Sequence, residues 1–159
     1  MPILAKAVLL TLVALLLSLT GCDKQEEAQS QGVQLSQEKK QARVIVPEEV
    51  KMRWKAVKIA VQDKENNKQD VYTVNIGNGF VVVGSSLTLR VENFLPYFQM
   101  DGMTLTSVSN DPLNPAAQIS ISENGHEVFK GWLFSKYPNT HAFQHPRFSF
   151  SLVDFVPSG

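Results

Sequence analysis

The sequence predicts an all-β domain, a small antiparallel sandwich or partly open barrel, preceded by a signal peptide and a disordered tether. Three observations carry this. Ser86 to Glu92 alternates strictly, with Leu87, Leu89 and Val91 on one side and Thr88, Arg90 and Glu92 on the other, the period-2 mark of a half-buried strand. Asn124-Gly125 lies between Ile119-Ser120-Ile121 and Val128-Phe129, and a type I′ hairpin needs positive φ at both central residues. The apolar leader stops at the chain's only cysteine, Cys22.

The N-terminus reads MPILAKAVLLTLVALLLSLTGC, with Lys6, an apolar run from Ala7 to Leu17, and small residues at Thr20 and Gly21. The run is well short of the ~20 residues that a span needs, so residues 1–21 are predicted to be a signal peptide and the mature chain to be exported. Leu19-Thr20-Gly21-Cys22 resembles the bacterial lipobox. Small side chains suit the peptidase, and only a thiolate is nucleophilic enough to accept the lipid. Two or more acyl chains, at roughly 0.8 kcal/mol per buried methylene, hold a protein on a bilayer without spanning it. By the same resemblance, Asp23 after the lipidated cysteine argues for retention at the inner membrane. With Cys22 used, no disulfide, CxxC redox pair or CxxCH haem attachment is available.

Residues 22–43 form the predicted tether: Asp23 to Arg43 is rich in Gln, Glu, Lys and Ser, with only Val33 and Leu35 as sizeable apolar residues. Such composition buries too little to offset ordering entropy. As a flexible coil it reaches roughly 25 Å, and at most ~70 Å extended. Residues 44–159 have the size of one domain with its own core. They carry ten Lys and Arg against eleven Asp and Glu, a balance that gives no electrostatic case for nucleic acid.

Within the domain, Val50, Trp54, Val57 and Val61 fall at helical spacing, yet Met52, Trp54 and Ala56 alternate with Lys51, Arg53 and Lys55. The β-branched content and the polar DKENNKQ connection favour a bulged strand in a hairpin. Tyr72, Val74 and Ile76 share a face in the next strand. Gly77-Asn78-Gly79 is a turn leading into the apolar run Phe80 to Val83, and a lone GxG without a following helix is no nucleotide site. Asp101-Gly102 is expected to form a hairpin like that of Asn124-Gly125. Ile119 and Ile121, then Phe148, Phe150 and Leu152, complete about seven short strands at turn spacing.

The stretch GWLFSKYPNTHAFQHPRF, Gly131 to Phe148, concentrates the chemistry. His141 and His145 stand four apart, the spacing used by helical metal pairs, but Pro138 and Pro146 bracket them and Pro146 pushes His145 out of the α region. A metal would need a third ligand such as His126 or Asp101. In a structural reading, Tyr137 to Thr140 makes a turn, Ala142 and Phe143 plug the end of the sandwich, and either histidine satisfies backbone groups. In an interaction reading, Trp132, Phe134, Tyr137 and Phe143 form a surface with Arg147, residue types that interfaces favour. Because Trp132, Leu133 and Phe134 run together, periodicity leaves open whether Trp132 faces core or surface.

Asp101, Asp111, Glu123 and Glu127 sit in separate turns, so no pair is set for acid–base work. No GxSxG elbow occurs. Asn110 to Pro115 reads as a plain turn-rich loop.

FLPYFQMDG (Phe94–Gly102), NDPLNPAAQISI (Asn110–Ile121) and KGWLFSKYPNTHAFQHPRF (Lys130–Phe148) resemble a group of exported bacterial domains, a conserved domain of unknown function. Its members end in a Gly-Trp-[Leu or Met]-Phe, Pro, Ala and His-Pro pattern, matched by Gly131, Trp132, Leu133, Phe134, Pro138, Ala142, His145 and Pro146. The resemblance spans roughly Trp54 to Asp154 and implies a β-rich domain in the envelope, with no activity attached. The Asn-Pro-Ala strand and the Trp-x-Phe after it are also similar to extracytoplasmic β domains of the ResB type of cytochrome c assembly proteins. That similarity places haem or a membrane assembly complex among the ligands to check.

Together these readings describe a lipid-anchored envelope protein on the periplasmic side. Its β domain is expected to be non-enzymatic, to need no cofactor, and to bind an envelope protein or assist an assembly. The alternative is a small-molecule, haem or metal site built on the His141/His145 loop.

Overall fold

The computed structural model describes residues 42–159; the segment predicted as a signal peptide, Cys22 and the predicted tether up to residue 41 lie outside the described residues. In chain order the elements are β1 (Arg43–Val44), α1 (Glu48–Arg53), β2 (Trp54–Asp63), β3 (Lys68–Asn75), β4 (Gly79–Val81) and β5 (Leu87–Leu95). After these come β6 (Phe98–Asp101), β7 (Thr104–Ser107), β8 (Ala116–Glu123), β9 (His126–Phe134) and β10 (Phe148–Pro157). Arg43, assigned to the tether from sequence, already pairs with Thr104.

Two antiparallel sheets, ordered β10-β2-β3 and β4-β5-β8-β9, face each other. Val57, Ile59, Val61, Val74, Phe148, Phe150 and Leu152 come from the first and Leu87, Leu89, Val91, Ala117, Ile119, Ile121 and Leu133 from the second, all in one buried cluster. This is the sandwich rather than the barrel. The open sides are bridged by aromatic side chains, not by hydrogen-bonded strands. On one side Tyr72 of β3 stacks on Phe80 of β4 with centroids 4.1 Å apart. On the other, Phe143 packs against Phe129 of β9 and Phe150 of β10.

A third sheet, ordered β1-β7-β6, is small. Its β6–β7 hairpin turns Phe98, Met100, Leu105 and Ser107 to one face, since Phe98 pairs with Ser107 and Met100 with Leu105. Phe98 meets Trp132 and Phe134, each at 5.0 Å, so this sheet lies on the outer face of β9.

The strand expected across residues 50–61 is instead a short helix followed by a strand. Glu48 and Glu49 occupy the first turn of α1 and Lys51 and Arg53 the last, charges that complement the helix dipole. Val50 is buried beneath it. After Trp54 the period drops to two: Val57, Ile59 and Val61 point inward. Spacing of four is even, so Val57 and Val61 satisfy a helix and a strand pattern alike, and that coincidence made the segment ambiguous. The tryptophan itself packs edge-on against Phe94 and Phe155, at 5.5 and 5.1 Å, and its indole N–H donates to Asn110 Oδ1 at 3.1 Å.

Bulges shift the phase in three long strands. One lies between Val91 and Asn93 of β5, and one at Val128 of β9, where Ile121 pairs with Phe129 and Ser122 with Glu127. Another lies between Leu152 and Asp154 of β10 and brings Phe155 round to the tryptophan. Asn124 and Gly125 have φ of 51° and 83°, as a type I′ turn requires. The other hairpin differs from expectation: Asp101 pairs with Thr104, so Gly102 and Met103 are the central residues. Only Gly102, at φ 57°, is left-handed among them, the pattern of a type II′ turn. Within the apolar run Phe80 to Val83, Val81 and Val83 are exposed while Val82 is buried.

Ile119→Ala, at the centre of the buried cluster, is expected to cost about 3 kcal/mol in urea unfolding, and Val83→Ala about 0.5 kcal/mol or less. Equal losses would contradict the facing of the two sheets.

Candidate functional site: the cleft beside Trp132

The apolar run of β9 is divided between two faces. Leu133 pairs with Ala117 and is buried in the sandwich, whereas Trp132 and Phe134 project outward beneath Phe98. Trp132 is therefore neither core nor free surface: it is half-buried between two sheets. Gly131 has a different task. A Cβ there would stand 2.5 Å from Phe129 Cζ, so the missing side chain lets the Phe129 ring fold along its own strand toward Phe143.

The third sheet covers the outer face of β9 incompletely and leaves a cleft on each side of Trp132. One section, of about 570 Å³, is lined by Phe98, Met100 and Leu105 of the hairpin, by Phe129 to Trp132 and Phe134 of β9, and by Thr140, His141 and Ala142. The other, of about 590 Å³, is bordered by Ala42, Val44, Leu105, Gln118, Glu127 and the same Lys130, Gly131 and Trp132. The first is strongly apolar, with Lys130 as its one formally charged side chain.

The residues singled out from sequence separate into two groups. Gly131, Trp132, Phe134 and His141 line the cleft. His141 is exposed at its mouth with φ 53°, an uncommon conformation for a residue with a side chain. Pro138 and Pro146 are exposed and outside it. Pro138 sits in the expected turn, where Thr140 N–H donates to the Tyr137 carbonyl at 3.0 Å.

His145 and Arg147 serve the loop that carries the chain from β9 to β10. His145 Nδ1 accepts from the backbone N–H of Arg147 at 3.2 Å and of Phe148 at 3.0 Å. Its ring packs against Phe143 and Phe148. Nδ1, which accepts two backbone protons, is closed to a metal, and only Nε2 of His145 is left to face a ligand. Among the described residues no group of three or more His, Cys, Asp or Glu is placed to hold one.

Arg147, expected in an interaction surface, is spent on an internal clamp. Its Nε and Nη2 donate to the two oxygens of Asp63 at 3.1 and 2.7 Å, and Nη1 donates to the Gly84 carbonyl at 3.3 Å. Glu65 lies 3.3 Å from Nε, and the guanidinium sits over the Phe148 ring. The pair thus joins the β2–β3 turn to the β4–β5 turn of the opposite sheet. The Arg147 hydrogen bonds hold the Asp63 carboxyl far below its ordinary range against the opposing effect of burial, with help from the Asn66 side chain and the Asn66 and Glu65 N–H groups. Phe143, which the structural reading made a plug and the interaction reading a surface residue, is the side-chain bridge between β9 and β10.

Phe98, Met100, Leu105 and Lys130 were not legible as site residues. Their signal lay in the alternation of Phe98 with Met100, which means a covered face only once β6 is known to lie over β9. No protein-family model, curated protein sequence or solved structure matches the chain.

Two outcomes test these assignments. His145→Ala leaves two backbone donors without an acceptor and is expected to lower stability by about 1–2 kcal/mol in urea. Because the Asp63 carboxyl is depressed by folding, its contribution is complete above pH ~4 and is lost as pH falls toward the folded value. The melting-temperature gap between wild type and Asp63→Asn should be widest near neutral pH and close in acid; a gap independent of pH counts against the clamp.

Proposed function

We propose that this chain is a lipid-anchored protein of the bacterial cell envelope. In this reading lipid on Cys22 holds it at the inner membrane, and the domain of residues 44–159 works on the periplasmic side as a non-enzymatic module that binds an envelope protein partner. The kinship with exported domains bearing the Gly-Trp and His-Pro pattern belongs to the same proposal. The anchor rests on Leu19-Thr20-Gly21-Cys22 and on the short apolar leader. Among the described residues no helix is long and apolar enough to cross a membrane.

The observation that carries the binding role is the cleft. Trp132 and Phe134 are large aromatic groups that the sandwich core does not use, and Phe98 covers them only in part. Aromatic anchors in a concave apolar setting are where binding energy concentrates at interfaces. Glu123 and Glu127 share the β8–β9 hairpin, while Asp101 and Asp111 lie at the β6–β7 turn and in the loop before β8; none of these carboxylates lines the apolar cleft section beside Trp132, so that section offers recognition more readily than acid–base chemistry.

Cys22→Ser should release the protein from the membrane to the soluble fraction and abolish incorporation of labelled fatty acid; unchanged membrane residence would remove the anchor. For the binding role, a photocrosslinker is placed in cells at Met100 or Thr140 beside the cleft and at Val71 on the opposite edge. A discrete adduct from the first two and none from Val71 is expected. Equal labelling at all three, or none, would overturn the role of the cleft. A haem or metal mass on the purified chain, lost in a folded His141→Ala variant, would replace the protein-partner reading with a small-molecule one.

A further inference from the structure

Building on the binding role of the cleft, we propose that its occupant is an extended peptide segment. It adds as a strand to the outer edge of β9, places apolar side chains at alternate positions beneath the β6–β7 hairpin, and sets an acidic side chain against Lys130.

The backbone provides the first argument. Among the described residues β9 ends its sheet, with β8 on one side and no strand on the other. Among the described residues, no backbone–backbone hydrogen bond joins residues 126–133 to the loop that follows. Alternate residues of an antiparallel edge strand turn N–H and C=O away from their neighbour, and such a row is a template for another chain. The cleft section bounded by Phe129 to Trp132 on one wall and by Thr140 to Ala142 on the other runs along that edge.

Side chains provide the second. Phe98, Met100 and Leu105 make an apolar recess beside the edge, and Met100 is 59% exposed at its mouth. A strand laid on β9 sends every second side chain to one face, so an occupant alternating apolar and polar would fill the recess and keep its other face in water. In strand addition the main-chain bonds give affinity and such recesses give specificity. A purely apolar ligand, an acyl chain for instance, would bury the edge groups of β9 without partners, at a desolvation cost.

Charge provides the third. Lys130 faces both sections of the cleft and takes part in none of the ion pairs among the described residues. A carboxylate opposite it is complementary. A second copy pairing edge to edge would instead bring two grooves bearing the same lysine together, and like charges across a strand pair are destabilising.

The test uses the full lipidated chain in nanodiscs and a fluorescein-labelled pool of nine-residue peptides. Val, Ile or Phe occupy the odd positions and Ser or Thr the even ones, except that Glu stands at the fifth, so that it shares the apolar face on which Lys130 lies. Anisotropy should report binding, and N-methylation of alternate amides should weaken it about ten-fold or more. Lys130→Glu should weaken the Glu pool and favour a pool with Lys at the centre. Met100→Lys, on the exposed rim, should block binding without lowering the melting temperature.

No binding of the pool, or equal binding after N-methylation, overturns the strand proposal. A crosslinked dimer of the chain from Met100 would do so as well. If crosslinking in cells gives a foreign adduct while the pool fails, only the extended-strand mode is lost. If both fail, the binding role of the cleft falls with it.

Discussion

One strand with two apolar faces governs this architecture. β9 sends Leu133 into the sandwich and Trp132 and Phe134 out of it. A sandwich strand ordinarily turns a polar face to water. Here the outer face carries two large aromatic rings, which need cover of their own. The β6–β7 hairpin provides it through Phe98 and Leu105, and the two residues of β1 extend that cover by pairing with β7. The third sheet is thus a consequence of the Gly-Trp-Leu-Phe run. Because it is small, the cover is partial, and a cleft follows from the mismatch between a nine-residue strand and a hairpin whose strands have four residues each.

The same strand also constrains the loop after it. The chain leaves β9 in one sheet and must enter β10 in the other, so the connection crosses the open side between them. Phe143 fills the gap between Phe129 and Phe150, and Gly131 makes space for the Phe129 ring. At the far end the backbone turns sharply into β10, exposing the N–H groups of Arg147 and Phe148, which His145 Nδ1 accepts. Asp63 then fixes Arg147 to the β2–β3 turn through a paired, partly buried contact. Two-point geometry of this kind sets direction as well as attraction. The loop that looked chemically rich is largely occupied with holding two sheets together.

Much of the fold was legible because strand periodicity is insensitive to partner identity. Leu87, Leu89 and Val91 alternate inward whatever faces them, and Asn124-Gly125 closes its hairpin locally. Legibility failed where two periods coincide, as at Val57 and Val61, and where a cover is non-local. Whether Trp132 faced core or surface depended on Phe98, more than thirty positions away in sequence. The register of the Asp101-Gly102 turn depended on one residue of offset that composition does not reveal. His145 was read as a possible backbone acceptor, which the structure bears out, while Arg147 was read as surface because its partner Asp63 lies in another hairpin.

These assignments separate structural demand from surplus within one motif. Leu133 fills the core, Gly131 yields space, Pro138 lies in a turn, and His145 holds the end of the loop. Each of these can be accounted for by the sandwich alone. Trp132 and Phe134 cannot: smaller or polar residues on the outer face of β9 would leave the inner core untouched and would make the third sheet unnecessary. Both rings pack in part against Phe98 and leave the rest of their surface on the wall of the cleft, and apolar surface left concave and unfilled marks binding sites. The physical argument for function therefore comes not from the histidines that draw the eye in sequence but from the aromatic surface that folding leaves over.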